Sequence, residues 1–146
     1  MDNSQNTVDF LSEIYRSAKM GIETIDRLLT KVNDNKIYDE LKYQMRSYEE
    51  IADEAHNELL KRNNEPAEIS PLNKLSARMS VGINTLISSK PSHIADMMIK
   101  GNRMGIEGIV SSYQSHADAD PSIKGLADRF LKLEKDNAER LKKFMR

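Results

Sequence analysis

The spacing of apolar residues constrains the fold of this chain more than any other feature. Along most of its 146 residues, Leu, Ile, Lys and Glu recur with helical spacing, and no stretch alternates between apolar and polar residues as a β-strand does. The sequence contains only four prolines and six glycines. Apolar side chains at three-four spacing gather on one face of a helix. The pattern therefore predicts an all-α fold.

Four long segments carry such an apolar face, and we predict helices over about 7–32, 36–62, 93–116 and 121–144. Asn33 to Asn35 end the first helix, Ser92 is expected to cap the third, and the turn at 118–122 brings its own cap and proline. The residues predicted to face the core are Leu11, Tyr15, Ala18, Ile22, Ile25, Leu29, Val32, Tyr38, Leu41, Met45, Tyr48, Ala52, Ala55, Leu59, Ile94, Met98, Asn102, Ile106, Ile109, Tyr113, Ile123, Leu126, Phe130, Leu133, Asn137, Leu141 and Phe144.

A fifth, shorter helix is predicted between the second and third long helices, with Ser70 as its cap and Pro71 as its first residue. A helix of about 18 residues spans roughly 27 Å, which is enough to carry the chain back along the bundle. The second and third long helices should then run parallel. We expect a single domain over 1–146, made of a hairpin at 7–62, a crossover at 64–92 and a hairpin at 93–144.

Two nearly identical phrases, KMGIETID at 19–26 and RMGIEGIV at 103–110, lie 84 positions apart. Each falls in the first helix of a hairpin, so the two halves look duplicated. A hairpin, a long crossover and a second hairpin form the ferritin-like topology. The chain resembles the ferritin-like superfamily, in particular small uncharacterised bacterial ferritin-like four-helix bundles whose first helices carry a GIE phrase.

This resemblance implies a set of candidate metal ligands. In metal-binding members, each hairpin gives one Glu from its first helix and an E-x-x-H motif from its second, and these bind two iron or manganese ions. The matching positions here are Glu23 and Glu107 for the lone glutamates, Asp53 and His56 in DEAH, and Glu134 in EKDN, whose fourth residue is Asn137. One motif has thus become D-x-x-H and the other E-x-x-N.

The helical phase of these candidates argues against a di-metal centre. At about 100° per residue, Glu23 and Glu107 fall roughly 140° and 150° from the centres of their apolar faces. Asp53 falls about 110° from its own, whereas His56, at about 70°, flanks the core. We therefore predict no metal or cofactor, with an iron or manganese site as the alternative.

The repeated phrases also suggest packing and interface residues. A helical glycine lets another helix approach closely, although it costs up to about 1 kcal/mol in helix propensity relative to alanine. We expect the crossover helix or a second subunit to cover these positions, and a flexible segment is the alternative. The candidates for an interface or close packing are Met20, Gly21, Gly101, Met104, Gly105 and Gly108.

Asn102 and Asn137 stand at the centres of apolar faces, and their distances from the intervening turn place them at one level of an antiparallel pair. They are interpreted as a hydrogen-bonded polar layer that fixes helix register, with ligand binding as the alternative. They should contact each other directly or through one shared water.

Charge and composition exclude several classes of function. Lys and Arg number 22 against 23 for Asp and Glu, so the net charge of −1 gives no basic field for nucleic acid. The absence of cysteine excludes disulfides and thiolate metal sites and suits a reducing compartment. No apolar run approaches the ~18 residues of a membrane span. We expect a soluble, cytoplasmic protein without nucleic-acid or membrane partners.

Together these patterns predict a noncatalytic ferritin-like bundle that acts through self-association, as a homo-oligomer, or through another protein interaction. Enzymatic activity is not expected, because no phosphate loop or nucleophile motif occurs. The alternative function is that of a di-metal carboxylate protein with an oxidase or iron-handling role.

Overall fold

A computed structural model describes residues 3–64 and 88–146, and this part of the chain forms four long helices without any β-strand. They are α1 (Asn3–Leu29), α2 (Asn35–Lys61), α3 (Pro91–Ser115) and α4 (Pro121–Lys142), and a short 3₁₀ turn at Lys143–Met145 follows α4. The prediction of four long helices in an all-α chain is confirmed. Helix α1 ends three residues before the predicted boundary, and α3 begins two residues earlier than predicted.

The helix starts follow from local capping chemistry. The Asp34 carboxylate accepts hydrogen bonds from the backbone N–H groups of Lys36 and Ile37 at 2.9 and 3.0 Å, which opens α2. Asp120 caps α4 in the same manner. The prediction of Ser92 as a cap is wrong, because Pro91 already occupies the first helical position of α3, where its fixed φ suits a helix.

Two contacts define one end of the bundle. The first joins the end of α4 to the start of α2, and the second joins the segment after α1 to the segment that leads into α3. Arg140 Nε lies 2.8 Å from Glu40 Oε2. Asn33, just beyond α1, donates from Nδ2 to Ser89 Oγ at 3.4 Å. The ends of α1 and α4 therefore lie beside the starts of α2 and α3.

The opposite end is held through Asp120, which precedes α4. Its backbone N–H donates to Thr7 Oγ1 at 2.9 Å, and its carboxylate lies 3.9 Å from Arg62 NH2. The end of α2 thus reaches the turn between α3 and α4. Helices α2 and α3 consequently run in the same direction, as the sequence analysis predicts, while each hairpin is antiparallel.

The predicted crossover helix falls largely on residues 65–87, which lie outside the described residues. Asn64 and Ser88, the described residues on either side, lie at opposite ends of the bundle. The chain therefore enters the second hairpin at the end from which α2 started.

The core lies along the inward faces of all four helices, but the predicted faces are slightly rotated in the first hairpin. Phe10, Ile14 and Leu28 are fully buried although none was predicted to be. Tyr38 is 40% exposed, because its neighbour Ile37 occupies the core position instead. A helix that contacts two neighbours buries a face wider than a single three-four stripe. Most other predicted core residues are buried or partly buried.

None of the described helices has both the length and the apolar character needed to cross a membrane.

Candidate functional site

Three polar side chains from three helices meet in the core. Tyr48 on α2, Asn102 on α3 and Glu134 on α4 are 3%, 2% and 4% exposed. Each occupies an inward position of its helix, where an apolar residue would otherwise complete the core. We call these three residues the polar cluster.

The polar cluster is joined by hydrogen bonds that converge on one carboxyl oxygen. The Tyr48 hydroxyl donates to Glu134 Oε1. Asn102 Nδ2 donates to the Tyr48 hydroxyl oxygen at 3.0 Å and to Glu134 Oε1 at 3.2 Å. Because both acceptors face the amide nitrogen, the orientation of the Asn102 amide is defined. Its oxygen, Oδ1, is buried and has no hydrogen-bond partner.

The glycines of the two repeated phrases make room for this cluster. A Cβ atom at Gly21 would lie 2.9 Å from the ring of Tyr48, and a Cβ atom at Gly105 would overlap Glu134 Oε2. In each hairpin, a glycine on the first helix thus faces a polar-cluster side chain on the second. The MGIE repetition therefore encodes close packing within one chain at these two positions.

A small pocket adjoins the polar cluster, with most of its lining from α1 and α3. Its cavity volume is about 40 Å³, which exceeds the roughly 10–15 Å³ that one water molecule needs. We call it the α1/α3 pocket. It is lined by Ser17, Met20, Gly21, Thr24, Tyr48, Met98, Gly101, Asn102, Gly105 and Glu134.

Burial controls the protonation of the polar cluster. Loss of hydration raises the pKa of Glu134 to about 7, although the hydrogen bonds from Tyr48 and Asn102 act in the opposite direction. Burial, followed by the neighbouring Glu134 charge, raises the pKa of Tyr48 well above its usual value. Tyr48 therefore stays a neutral donor, whereas Glu134 changes its charge near neutral pH.

Asn102 and Asn137 are both buried, at 2% exposed each. No hydrogen bond joins their side chains, and Asn102 is bonded to Tyr48 and Glu134 instead. Asn137 accepts through its backbone carbonyl from Gln44 Nε2 at 3.3 Å, while its own Nδ2 is buried without a partner. The predicted hydrogen bond between the two asparagine side chains is therefore not formed. Asn102 contacts Tyr48 of the first hairpin instead, because the Tyr48 hydroxyl group lies within its reach.

The candidate metal ligands do not converge. Glu23, Asp53 and Glu107 are exposed, whereas Glu134 is buried in the polar cluster. His56 is half-buried, and its ring centroid lies 6.1 Å from that of Tyr15. Among residues 3–64 and 88–146, no three His, Asp or Glu side chains form a group that could hold a metal ion. These residues do not fit a di-iron or di-manganese carboxylate centre.

The remaining interface candidates occupy different environments. Met20 and Gly101 line the α1/α3 pocket, and both are half-buried. Met104 is half-buried as well. Gly108 is exposed, and a Cβ atom there would meet nothing within 4 Å. Close packing therefore accounts for Gly21 and Gly105 but not for Gly108.

Chemically, the described lining of the α1/α3 pocket combines the carboxyl group of Glu134, whose pKa is raised to about 7, with the hydroxyl groups of Ser17 and Thr24 and two methionine side chains. The four helices provide this arrangement with no contribution from the exposed acidic residues that the resemblance implies. Comparison of the chain with protein-family models, with curated proteins and with solved structures finds no match.

Proposed function

We propose that this chain is a noncatalytic ferritin-like helical bundle that binds a small polar ligand in the α1/α3 pocket. The proposal rests on the environment of Glu134. Its carboxyl group is buried beside a cavity and has no cationic partner among the described residues. A perturbed carboxyl group that borders a pocket is a characteristic of functional sites.

The cost of burying Glu134 supports this proposal. A buried carboxyl group without a countercharge destabilises the fold, and an apolar residue of similar size would pack there at lower cost. The neighbouring Gly105 adds to that cost, because glycine is up to about 1 kcal/mol less favourable than alanine inside a helix. A ligand that contacts the carboxyl group would account for both features.

A noncatalytic role is favoured by what surrounds the carboxyl group. Glu134 Oε1 already accepts from Tyr48 and Asn102, so this oxygen is engaged in the resting arrangement. The hydroxyl-bearing residues Ser17 and Thr24 line the pocket together with Glu134. Among the described residues, the hydrogen bonds to the Glu134 carboxyl group come from Tyr48 and Asn102 and not from these hydroxyls, so no nucleophile is paired with the carboxyl group as a base.

A di-metal role is the alternative implied by the resemblance, and Glu134 is the single candidate ligand that faces the core. Metal analysis of protein purified without chelator tests it. Two equivalents of iron or manganese that disappear in a Glu134→Ala variant would favour this alternative over the ligand-binding role.

Self-association is a second candidate role, favoured by an exposed, partly apolar groove between α3 and α4. Val110, which is 40% exposed, lines this groove together with Tyr113 and Leu131, and the polar residues Gln114 and Asp128 complete the lining. Light scattering over a wide range of concentrations tests it. A dimer that dissociates in a Val110→Glu variant would support association through this groove, and a monomer at all concentrations would contradict it.

The proposed ligand-binding role can be tested by filling the pocket. Nuclear magnetic resonance of labelled protein, titrated with a library of small polar compounds, should reveal compounds that shift the signals of Gly21, Gly105 and their neighbours. A Ser17→Leu variant should abolish these shifts, because the larger side chain occupies the cavity. Ser111→Leu is the matched control, since Ser111 is exposed on α3 and does not line the pocket. The absence of any such compound would contradict the proposal.

A further inference from the structure

Both donors of the polar cluster in the α1/α3 pocket are already used, whereas the hydroxyl groups of Ser17 and Thr24, which also line the pocket, can donate or accept. The Tyr48 hydroxyl and Asn102 Nδ2 both donate to Glu134 Oε1. Asn102 Oδ1 is a buried acceptor without a partner. Neither hydrogen bond that the polar cluster gives to Glu134 reaches its second oxygen, Oε2, which lies against Gly105. A ligand that contacts Oε2 of the ionised carboxylate must therefore supply an N–H or O–H donor.

The charge of the ligand follows from the charge of the pocket. Among the described residues, Glu134 is the one member of the lining that carries a formal charge when ionised, and no lysine, arginine or histidine of the described ranges lines the pocket. A cation that enters would offset the cost of burying the carboxylate. The walls also include Met20 and Met98, whose flexible apolar side chains suit a short alkyl group.

Size and coordination chemistry narrow the choice of cation. A cavity of about 40 Å³ is about three times the roughly 10–15 Å³ that one water molecule needs, so it suits a group of only a few heavy atoms. Calcium and magnesium need six or more oxygen ligands, which one carboxyl group and two hydroxyl groups do not provide. A group with N–H donors directs its hydrogen bonds at a few acceptors and is satisfied by such a site.

From these features, and on the basis of the proposed ligand-binding role, we infer that the α1/α3 pocket binds a primary ammonium group. The ligand is ammonium itself or the head of a short alkylamine, held by the Glu134 carboxylate and the hydroxyl oxygens of Ser17 and Thr24, with its alkyl part against Met20 and Met98.

Binding should be linked to proton release. Within residues 3–64 and 88–146, the titratable residues that line the pocket are Tyr48 and Glu134, and Tyr48 remains neutral. Burial raises the pKa of Glu134 to about 7, so the carboxyl group is largely protonated at about pH 6 and largely ionised at about pH 8. Because the cation binds the ionised form, its affinity should be about tenfold lower at about pH 6 than at about pH 8.

Isothermal titration calorimetry with methylammonium chloride tests the inference, at an ionic strength held constant with sodium chloride. We expect saturable binding at about pH 8, binding about tenfold weaker at about pH 6, and no binding in a Glu134→Gln variant. Glu139→Gln is the matched control, because Glu139 is exposed on the same helix and pairs with Lys142. Tetramethylammonium, which carries the same charge without N–H donors, should not bind. A parallel titration with ammonium chloride distinguishes the free ion from the alkylamine head.

Failure of the ammonium inference is distinguishable from failure of the ligand-binding role. If neither ammonium nor methylammonium binds, or if both bind the Glu134→Gln variant as well as the parent, the ammonium inference is overturned. The ligand-binding role fails separately if no compound of the polar library shifts the signals of the pocket. Binding of tetramethylammonium with equal affinity would also overturn the inference, because it would show recognition of charge alone.

Discussion

Gly105 and Glu134 form a matched pair across the second hairpin: the carboxyl oxygen Oε2 occupies the space that a Cβ atom at position 105 would need. The carboxyl group is not free to move away, since Tyr48 and Asn102 hold its other oxygen. The glycine is therefore required by the polar cluster, and the polar cluster determines where α3 and α4 can approach each other.

A Gly105→Ala substitution should destabilise the fold. Alanine alone would favour the helix by up to about 1 kcal/mol, but displacement of the buried carboxyl group should cost about 1 to 3 kcal/mol. Gly108→Ala is the control, because a Cβ atom there meets nothing within 4 Å and should stabilise α3 by about 0.5 to 1 kcal/mol. Urea denaturation measures both changes. Equal stabilisation by the two variants would show that Glu134 moves freely.

The stability of the protein should depend on the ionisation of Glu134. Its pKa is raised from the model-compound value of 4.5 to about 7 in the folded state, so the folded chain holds this proton more tightly than the unfolded chain. The resulting stability is fully present below about pH 4.5 and is lost as the pH rises through about 7. The loss amounts to about 3 kcal/mol, since each pKa unit corresponds to about 1.4 kcal/mol.

A Glu134→Gln variant should remove this dependence. The neutral amide keeps an oxygen acceptor for Tyr48 and Asn102, so the variant should gain stability relative to the parent as the pH rises from about 5 to about 8. Urea denaturation across this range measures the difference between the two proteins, which cancels the contributions of the other carboxyl groups. Glu139→Gln should show no such trend. A constant difference between Glu134→Gln and the parent would mean that Glu134 titrates normally.

The fold could be predicted to a large extent from the sequence because helices leave a clear periodic pattern. The spacing of apolar residues located all four long helices, and the length of the connection between the hairpins indicated that α2 and α3 run parallel. The sequence was less informative about which face of α1 is buried. Phe10 and Ile14 are buried, but neither is among the predicted core residues. A helix with two packing partners buries a wide face, so a single stripe captures only part of it.

The site could be predicted only in part, because buried polar residues resemble surface residues in the sequence. Asn102 was identified since an asparagine interrupts an apolar face. Glu134 was considered as a metal ligand alone, although its position four residues after Phe130 and seven before Leu141 places it on the buried face of α4. That spacing is the sequence feature from which the burial of Glu134 could have been predicted. The hydrogen bond between Glu134 and Tyr48 joins two different hairpins, and no local sequence pattern predicts such a contact.

Tyr48→Phe should raise the pKa of Glu134 further. The Tyr48 hydroxyl hydrogen bond favours the ionised carboxylate, so its loss leaves burial opposed by Asn102 alone. The free energy of unfolding should also fall by about 1 to 2 kcal/mol, because a buried hydrogen bond is lost. Carbon-detected magnetic resonance of labelled glutamate follows the pKa directly. Tyr43→Phe is the control, because Tyr43 is 51% exposed and its ring contact with Arg140 is retained by phenylalanine. An unchanged pKa in Tyr48→Phe would contradict the assigned hydrogen bond.

Asn102 and Asn137 should respond differently to the same substitution, although both are equally buried. Asn102→Leu removes the donor to Tyr48 and Glu134, which should cost about 1 to 3 kcal/mol. Asn137→Leu removes a side-chain nitrogen that makes no close hydrogen bond and acts only weakly on the neighbouring Tyr48 hydroxyl, whose pKa it lowers, while the backbone carbonyl that accepts from Gln44 is retained. This second change should be nearly neutral or stabilising, because a buried unsatisfied donor is itself unfavourable.

Thermal and urea denaturation of the two variants and their double mutant measure these effects. If the two asparagines formed a pair of their own, either single substitution would destabilise and the double mutant would recover part of the loss. Additive effects, with nearly all of the loss in Asn102→Leu, are expected from the contacts of the polar cluster.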